Sequence, residues 1–402
     1  MPWYLQMHLR IFPFLLIAYL YTGWRVSRSL ATLFALPAGR VRAGVGLVVL
    51  CLNLLPLLIF FTYRGGRGEQ LYLFRPQLQT LDYLATFPFW IGLIVVVEIL
   101  PYFLALDLAG GVIRLLPTLK NWEWSRWKAG LHLAILAFFT VYVGIRSFLD
   151  TSRVRLETYR VEAAQLPPSM ENLTLTFISD VQVDRYTGEN KLKRLEEKVR
   201  QAGGDLLLFG GDMVTSGEQF NARAQGFMCE LAAPLGRIAC MGDHDYWSNS
   251  RSIPEGLRRC GWTFLQDRHH LIEYKGSKIL ITGVTHIYSQ RIPPARLKKL
   301  LAEAPAADLK IFLIHQPSDH AIRAAREYGY HLVLAGHTHG GQIVFRPFGI
   351  PLAPTRFENR FYSGFYHYRD LPVIVTNGVG LTLAPLRYQA PAEVVKVTLA
   401  RK

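Results

Sequence analysis

The order of hydrophobic and polar positions divides the chain near residue 150. Before that point the apolar residues form long blocks, and after it they come in short runs separated by charged, amphipathic stretches. The longest block, "AGVGLVVLCLNLLPLLIFFTY" (43–63), runs 21 residues without a charge, enough to cross about 30 Å of hydrocarbon. "LATFPFWIGLIVVVEILPYFLAL" (84–106) is comparable apart from Glu98 and Pro101, and "AGLHLAILAFFTVYVGI" (129–145) is shorter, with one histidine, His132. "IFPFLLIAYLYTGW" (11–24) follows Arg10 and lacks a small-residue cleavage site, so it reads as a fourth span and not as a removable signal. The pattern predicts a membrane domain of about four helices over residues 1–155 and a second domain over 156–402.

In the second part "NLTLTFIS" (172–179), "DLLLFG" (205–210), "RIACMG" (237–242), "KILITGV" (278–284), "LKIFLIH" (309–315) and "HLVLAG" (331–336) have the form of buried strands feeding loops. Helical patterns such as "ENKLKRLEEKVRQA" (189–202) lie between several of them. The alternation predicts a layered α/β core, whose ligands sit beyond the strand ends.

Composition agrees with a partly membrane-embedded chain: 50% of residues are hydrophobic and the mean hydropathy is +0.16. The net charge of +15 does not mark a nucleic-acid binder. Residues 1–155 carry 15 Lys and Arg against 6 Asp and Glu, which leaves a near-balanced 30 against 24 in the second domain. Arg25, Arg28, Arg40 and Arg42, with Arg114, Lys120, Arg126 and Lys128, fall where four spans place loops on one face, the cytoplasmic one by the positive-inside rule. Arg64, Arg67, Arg75, Arg153 and Arg155 reduce that bias on the other face, so it favours an extracytoplasmic second domain only slightly.

Trp122, Trp124 and Trp127 in "NWEWSRWK" suit the headgroup zone. Glu98 is the one acid inside a span, and its plain reading is a bundle-facing carboxyl beside the Pro101 kink. Cys51, Cys229, Cys240 and Cys260 form no CxxC pair and support neither a zinc ribbon nor a disulfide framework.

Chemistry concentrates at the predicted strand ends. There stand Asp180 and Gln182, then Asp212 in "GGDMV", Asp243 and His244 in "GDHDYW", His315 in "LIHQP", and His337 and His339 in "AGHTHGGQ". Singly, an Asp after a strand is commonly a helix N-cap and a lone His commonly packs in a core. Together, several carboxylates brought to one sheet edge are costly unless cations neutralise them. Oxygen and imidazole donors without thiolate predict a dinuclear site for Mn, Mg, Fe or Zn.

These motifs resemble the calcineurin-like metallophosphoesterases over about residues 172–399, with "GHTHGGQI" and "GGDMV" as the strongest matches. The tail from "YSGFYHYRDL" to "VVKVTL" is similar to the closing segment of a bacterial, often membrane-attached branch. The resemblance implies a four-layer α-β-β-α sandwich of two sheets flanked by helices. It also implies one metal on Asp180, Gln182, Asp212 and His339, and a second on Asp212, Asp243, His315 and His337. In-line attack on phosphorus by a metal-bound hydroxide would follow, with His244 donating to the leaving oxygen and Asp245 orienting the turn or His244.

Two positions depart from the family pattern, Gln182 replacing a His and Asp243 replacing an Asn. Gln182 offers a neutral amide oxygen, which weakens one metal position and moves its preference toward Mn or Mg. Asp243 adds a negative charge, which holds cations more firmly and makes them weaker Lewis acids. The expectation is a multi-pass membrane phosphoesterase acting on phosphomonoester, phosphodiester or pyrophosphate bonds of a phosphorylated substrate, with a lipid-linked one such as a nucleotide-lipid pyrophosphate as the candidate. Its partners are the lipid bilayer and that substrate, without nucleic acid. The alternative is a catalytically weak membrane scaffold that binds metal.

Overall fold

In a computed structural model, residues 3–66, 77–115, 124–163, 166–215 and 217–402 are described, with the side chains of residues 3–9 and Arg114 outside that description. Arg67, Arg75, Lys120 and Trp122 therefore lie outside the described residues. The chain divides into two compact units. The first joins residues 1–148 to two short segments from far along the chain, 345–352 and 383–388; the second holds the rest.

The first unit is helical. It contains α1 (Trp3–Phe34), α2 (Ala38–Leu52), α3 (Leu54–Arg64), α4 (Phe87–Arg114, preceded by a π-turn over Asp82–Thr86) and most of α5 (Trp124–Ser152). Leu15, Tyr19, Leu55, Ile59, Ala85, Phe89 and Val96 form its core. Phe14, Ile17, Leu47, Leu108, Phe138 and Val141 are exposed, which is the reverse of a water-facing surface.

Two of the described helices, Asp82–Ile113 and Trp124–Ser152, are long and apolar enough to cross a membrane, and α2 with α3 would make a third only as one bent span. The predicted continuous span over 43–63 is in fact broken by 58° at Asn53. Pro56 brings no backbone N–H to the new helix, and the Asn53 amide turns back onto the Val49 carbonyl at 2.8 Å. The predicted span 11–24 lies inside the 32-residue α1, which is not among the helices that qualify as spans. Several basic residues expected in loops sit within helices instead, and Arg25 and Lys128 both pair with Asp107.

The second unit is two six-stranded sheets. One has the order β1 (Val154–Ala163), β12 (Ala392–Arg401), β2 (Thr174–Ile178), β3 (Leu206–Phe209), β4 (Arg237–Cys240), β5 (Trp262–Leu265). The other runs β10 (Gly364–Tyr368), β11 (Leu371–Val375), β9 (Leu332–Ala335), β8 (Leu309–Ile314), β7 (Ser277–Val284), β6 (Arg268–Tyr274).

Alternation along the strands builds three apolar layers. Leu206 and Leu208 of β3 enter the same core as Ile279, Ile311 and Leu332 of the other sheet. Leu207 and Phe209 point the opposite way, toward α6 (Glu189–Ala202), α7 (Asn221–Glu230) and α9 (Ser252–Arg259), which follows the short α8 (Asp243–Asn249). Phe312 and Ile314 of β8 likewise meet α10 (Pro294–Ala302) and α11 (Asp319–Glu327). Helix, sheet, sheet and helix thus stack in the predicted order.

One expectation fails. Cys229 and Cys260, which no spacing motif links, are disulfide-bonded with their Cα atoms 5.5 Å apart. Arg237 of β4 donates to the carbonyls of both cysteines, which fixes the two backbones next to the bridge.

Candidate metal centre

β2, β3 and β4 run parallel in one sheet and β8 and β9 run parallel in the other, so their C-terminal ends deliver all five sequence motifs. The backbone immediately beyond them is unusual. Asp180, Gln182, Asp212, His337 and His339 adopt φ values of 52°, 44°, 61°, 71° and 51°, a left-handed conformation costing about 1–2 kcal/mol for a residue with a Cβ. Such strain persists because the surroundings over-determine it. The Asp180 amide donates to Gly211 O at 2.8 Å and the Gln182 amide to Asp212 O at 3.0 Å. Glycine permits two of the close approaches: a Cβ on Gly242 would overlap the Asp212 carboxylate, and one on Gly336 the Ser179 hydroxyl.

Three carboxylates, on Asp180, Asp212 and Asp243, lie buried here. Asp180 accepts from the His337 amide at 2.9 Å, and its other oxygen faces His339 Nε2 at 3.4 Å. Asp212 accepts from the His244 amide at 2.8 Å and from Gln182 Nε2 at 3.3 Å. Asp243, the extra acid, accepts from the Tyr288 amide at 2.6 Å and from Gln316 Nε2 at 2.8 Å.

His315 stands between the carboxylates. Its Nδ1 donates to Gly210 O at 2.7 Å, so Nε2 is the nitrogen that faces Asp212 at 3.3 Å and Asp243 at 3.4 Å. Two groups of donor atoms result, each within 4.8 Å: Asp180, Asp212 and His315, and Asp243, His315 and His337. His315 falls in both groups, but with Nδ1 donating to Gly210 its one free lone pair, on Nε2, can serve a single cation, so a shared ligand would have to be a carboxylate such as Asp212.

Electrostatics follow from burial and mutual proximity. Burial raises Asp180 against the pull of His315, and the nearby Asp212 adds to the rise. Burial would lower His315, but Asp212 and Asp243 outweigh it and hold the imidazole well above the ordinary histidine range. In the same way His337 is pushed up to about 9 by Asp243 and Glu358 against its own burial. The pocket is a concentrated negative field that positive charge relieves.

Its donors fit hard or borderline divalent cations. The Gln182 Oε1 is buried without a hydrogen-bond partner among the described residues, as an amide oxygen available to a cation would be. No cysteine belongs to either group among the described residues, and burial pushes the thiol of Cys240 up to about 12.

The proposed catalytic pair separates into two environments. His244 Nδ1 contacts the Thr215 carbonyl, which makes it the N–H nitrogen and leaves Nε2 as the other ring nitrogen. Asp245 is fully buried and accepts from the amides of Asp212 and Met213, both at 2.8 Å, and of Gly242 at 3.2 Å. It holds the Asp212 loop in place, and burial followed by Asp212 pushes its carboxyl up to about 7. Asp184, which closes the first motif, accepts from Tyr186 and Thr187 amides and from Thr215 Oγ1, locking the loop around the site.

Sequence reading missed three residues. Gln316 carries no signal beyond adjacency to His315, and Tyr288 and Glu358 lie in loops outside every motif. Glu358 faces His337 Nε2 at 3.6 Å and accepts from the Tyr288 hydroxyl. The rings of Trp247 and Tyr288 are parallel, 6.5 Å apart and half-exposed, and their edges meet His244 and His337. An aromatic wall therefore borders the donors.

Comparison with known proteins defines the class. Residues 173–341 match the calcineurin-like phosphoesterase family. The chain is similar to the uncharacterized metallophosphoesterase YkuE of Bacillus subtilis, at 24% identity over 64% of this chain and 89% of that one. An uncharacterized metallophosphoesterase of Aquifex aeolicus is 28% identical over 66% and 99% of the two chains. A zebrafish (Danio rerio) protein described as a transmembrane protein with metallophosphoesterase domain is 27% identical over 67% of this chain and 62% of that one. Residues 173–341 thus match a calcineurin-like phosphoesterase domain and several similar proteins are named metallophosphoesterases, which supports a hydrolase acting on phosphoric esters.

Proposed function

We propose that this is a membrane-anchored phosphoesterase that uses two divalent cations, manganese foremost, to cleave phosphomonoester, phosphodiester or pyrophosphate bonds of a lipid-linked substrate. The observation that carries the reading is the convergence of Asp180, Asp212, Asp243, His315 and His337 in two overlapping groups of donor atoms. Bound cations would supply an ionised water nucleophile and an electrophilic clamp for the phosphoryl oxygens.

The chain's own residues do the rest. Asp180, Gln182, Asp212 and His339 hold one side of the site, and Asp243, His315 and His337 the other. Nε2 of His244 donates to the leaving oxygen, since Nδ1 is engaged by Thr215. Asp245 acts on the geometry of Asp212 and not on substrate, and the Trp247–Tyr288 wall contacts the part of the substrate beyond its phosphate.

Outward-facing apolar residues on the helical unit support the membrane anchor. The Cys229–Cys260 disulfide supports an extracytoplasmic catalytic unit, because such bonds persist in oxidising compartments. A near-balanced charge beyond residue 155 speaks against a nucleic-acid substrate. No specific observation favours a catalytically silent scaffold.

Release of p-nitrophenol from its phosphate mono- and diesters by purified protein with Mn, compared with His337→Ala, tests the activity. Equal rates would overturn it. Faster turnover of water-soluble diesters than of lipid-linked ones would overturn the substrate class.

A further inference from the structure

Six residues after His339 the chain leaves the catalytic unit, and residues 345–352, "FRPFGIPL", cluster with the helices. Phe345 and Leu352 exchange backbone hydrogen bonds at 3.1 and 2.8 Å and close a hairpin. Every backbone N–H within it is accounted for. The Gly349 amide donates to Arg346 O and the Ile350 amide to Pro347 O, both at 3.0 Å, and Pro347 and Pro351 have none to satisfy.

The two remaining amides go to side chains of α4: Arg346 N donates to Glu98 Oε1 at 3.0 Å and Phe348 N to the Tyr102 hydroxyl at 2.9 Å. Glu98 Oε1 also accepts from the Tyr388 hydroxyl at 3.0 Å, which ties in the second segment, 383–388.

The side chains face the other way in polarity. Phe348, Ile350 and Leu352 are 60%, 61% and 52% exposed. A backbone without a free donor beneath exposed apolar side chains is what a water-free surrounding demands, since an unpaired amide in hydrocarbon costs several kcal/mol. The anchor points agree: Glu98 lies about 16 Å along α4 from Phe87 and about 24 Å from Arg114, well inside the apolar stretch. The one charged side chain, Arg346, is exposed, and its charge is offset by the carboxyl of Glu98, to which its own amide donates.

We infer that the Phe345–Leu352 hairpin is a lipid-contacting element, embedded in the bilayer and carried on α4 by Glu98 and Tyr102. The inference rests on the membrane-anchored reading and deepens it: the strand-end loop that supplies His337 and His339 continues directly into lipid, which favours a phosphate presented on a lipid. Glu98 is then a positioning residue for the hairpin.

The test uses full-length protein in phosphatidylcholine vesicles, with Cys51→Ser removing the exposed free thiol and a bimane probe on Ile350→Cys. Brominated acyl chains should quench that probe about twofold and leave a probe on the exposed Lys298→Cys of α10 unaffected. Glu98→Ala should abolish the quenching, whereas Glu98→Gln, which keeps an acceptor, should retain it. Leu352→Cys replaces the first probe if that variant does not fold.

A hairpin probe as unquenched as the Lys298→Cys control would overturn the inference. Hydrolysis of p-nitrophenyl phosphate is read on the same samples. Quenching without hydrolysis would count against the phosphoesterase reading alone, and hydrolysis without quenching against the hairpin alone.

Discussion

Nδ1 of His337 stands 3.1 Å from Oδ2 of Asp243. The acid that departs from the family pattern thus meets an imidazole of the last motif directly, and its two oxygens also engage Tyr288 and Gln316. Asp243→Asn keeps the shape and removes one negative charge. Cation affinity should fall about tenfold as that attraction is lost. The activity should reach its plateau at lower pH, because the remaining site withdraws more charge from the attacking water. Metal retention after dialysis and a kcat/KM profile against pH check both effects; an unchanged profile would refute the charge argument.

Gln182 is the weak donor of its group, and its buried amide oxygen lacks a partner among the described residues. Gln182→His should raise the cation content of purified protein toward two per chain and shift the preference toward zinc. Elemental analysis reads both. Content already at two in the unaltered protein would show that the amide suffices.

Glu358 faces the nitrogen of His337 that points away from Asp243. A carboxylate in that position fixes the tautomer and ring orientation of a ligating histidine, and its loss costs about 10–100-fold in metal affinity or activity. Glu358→Gln should therefore lower kcat with little change in KM, and added Mn should restore part of the loss. A rise in KM alone would place Glu358 on the substrate instead.

His286 is half-buried beside Arg291, and burial, with that guanidinium adding to it, lowers its pKa to about 4 from the ordinary 6.5. The folded state therefore binds fewer protons than the unfolded chain, so the contribution is fully present above pH 6.5 and is lost as the pH falls from 6.5 toward 4. Allowing for solvent screening, about 1–2 kcal/mol should disappear over that window. Melting temperatures recorded in chelator between pH 7 and 4.5 should decline less steeply for His286→Gln. Parallel declines would exclude this histidine as the cause.

Much of the site was legible because each motif is local. Asp180, Asp212, Asp243, His315 and His337 each follow a run of buried β-formers within a few residues, so strand ends and donor types are read together. How closely the donors meet was not legible: His315 reaching both Asp212 and Asp243 depends on the facing of two sheets. Glu358 is 21 residues beyond His337 in a loop without periodicity. Cys229 and Cys260 are 31 residues apart and meet only because Arg237 and the packing of α7 and α9 bring them together. In the helical unit, hydropathy found the apolar blocks but not the bend at Asn53. Nor could it place 345–352 with the helices, since that association is set by Glu98 and Tyr102, more than 240 positions earlier.

The left-handed backbone at Asp180, Gln182, Asp212, His337 and His339 restricts the alphabet these positions can draw on. β-branched residues are all but excluded, and glycine, asparagine, aspartate and histidine are favoured. Variation by single substitution can therefore exchange one oxygen or nitrogen donor for another, or delete it, more readily than it can install threonine or valine. A library randomised at these five codons should return that short vocabulary among folded clones, even where hydrolysis is not selected.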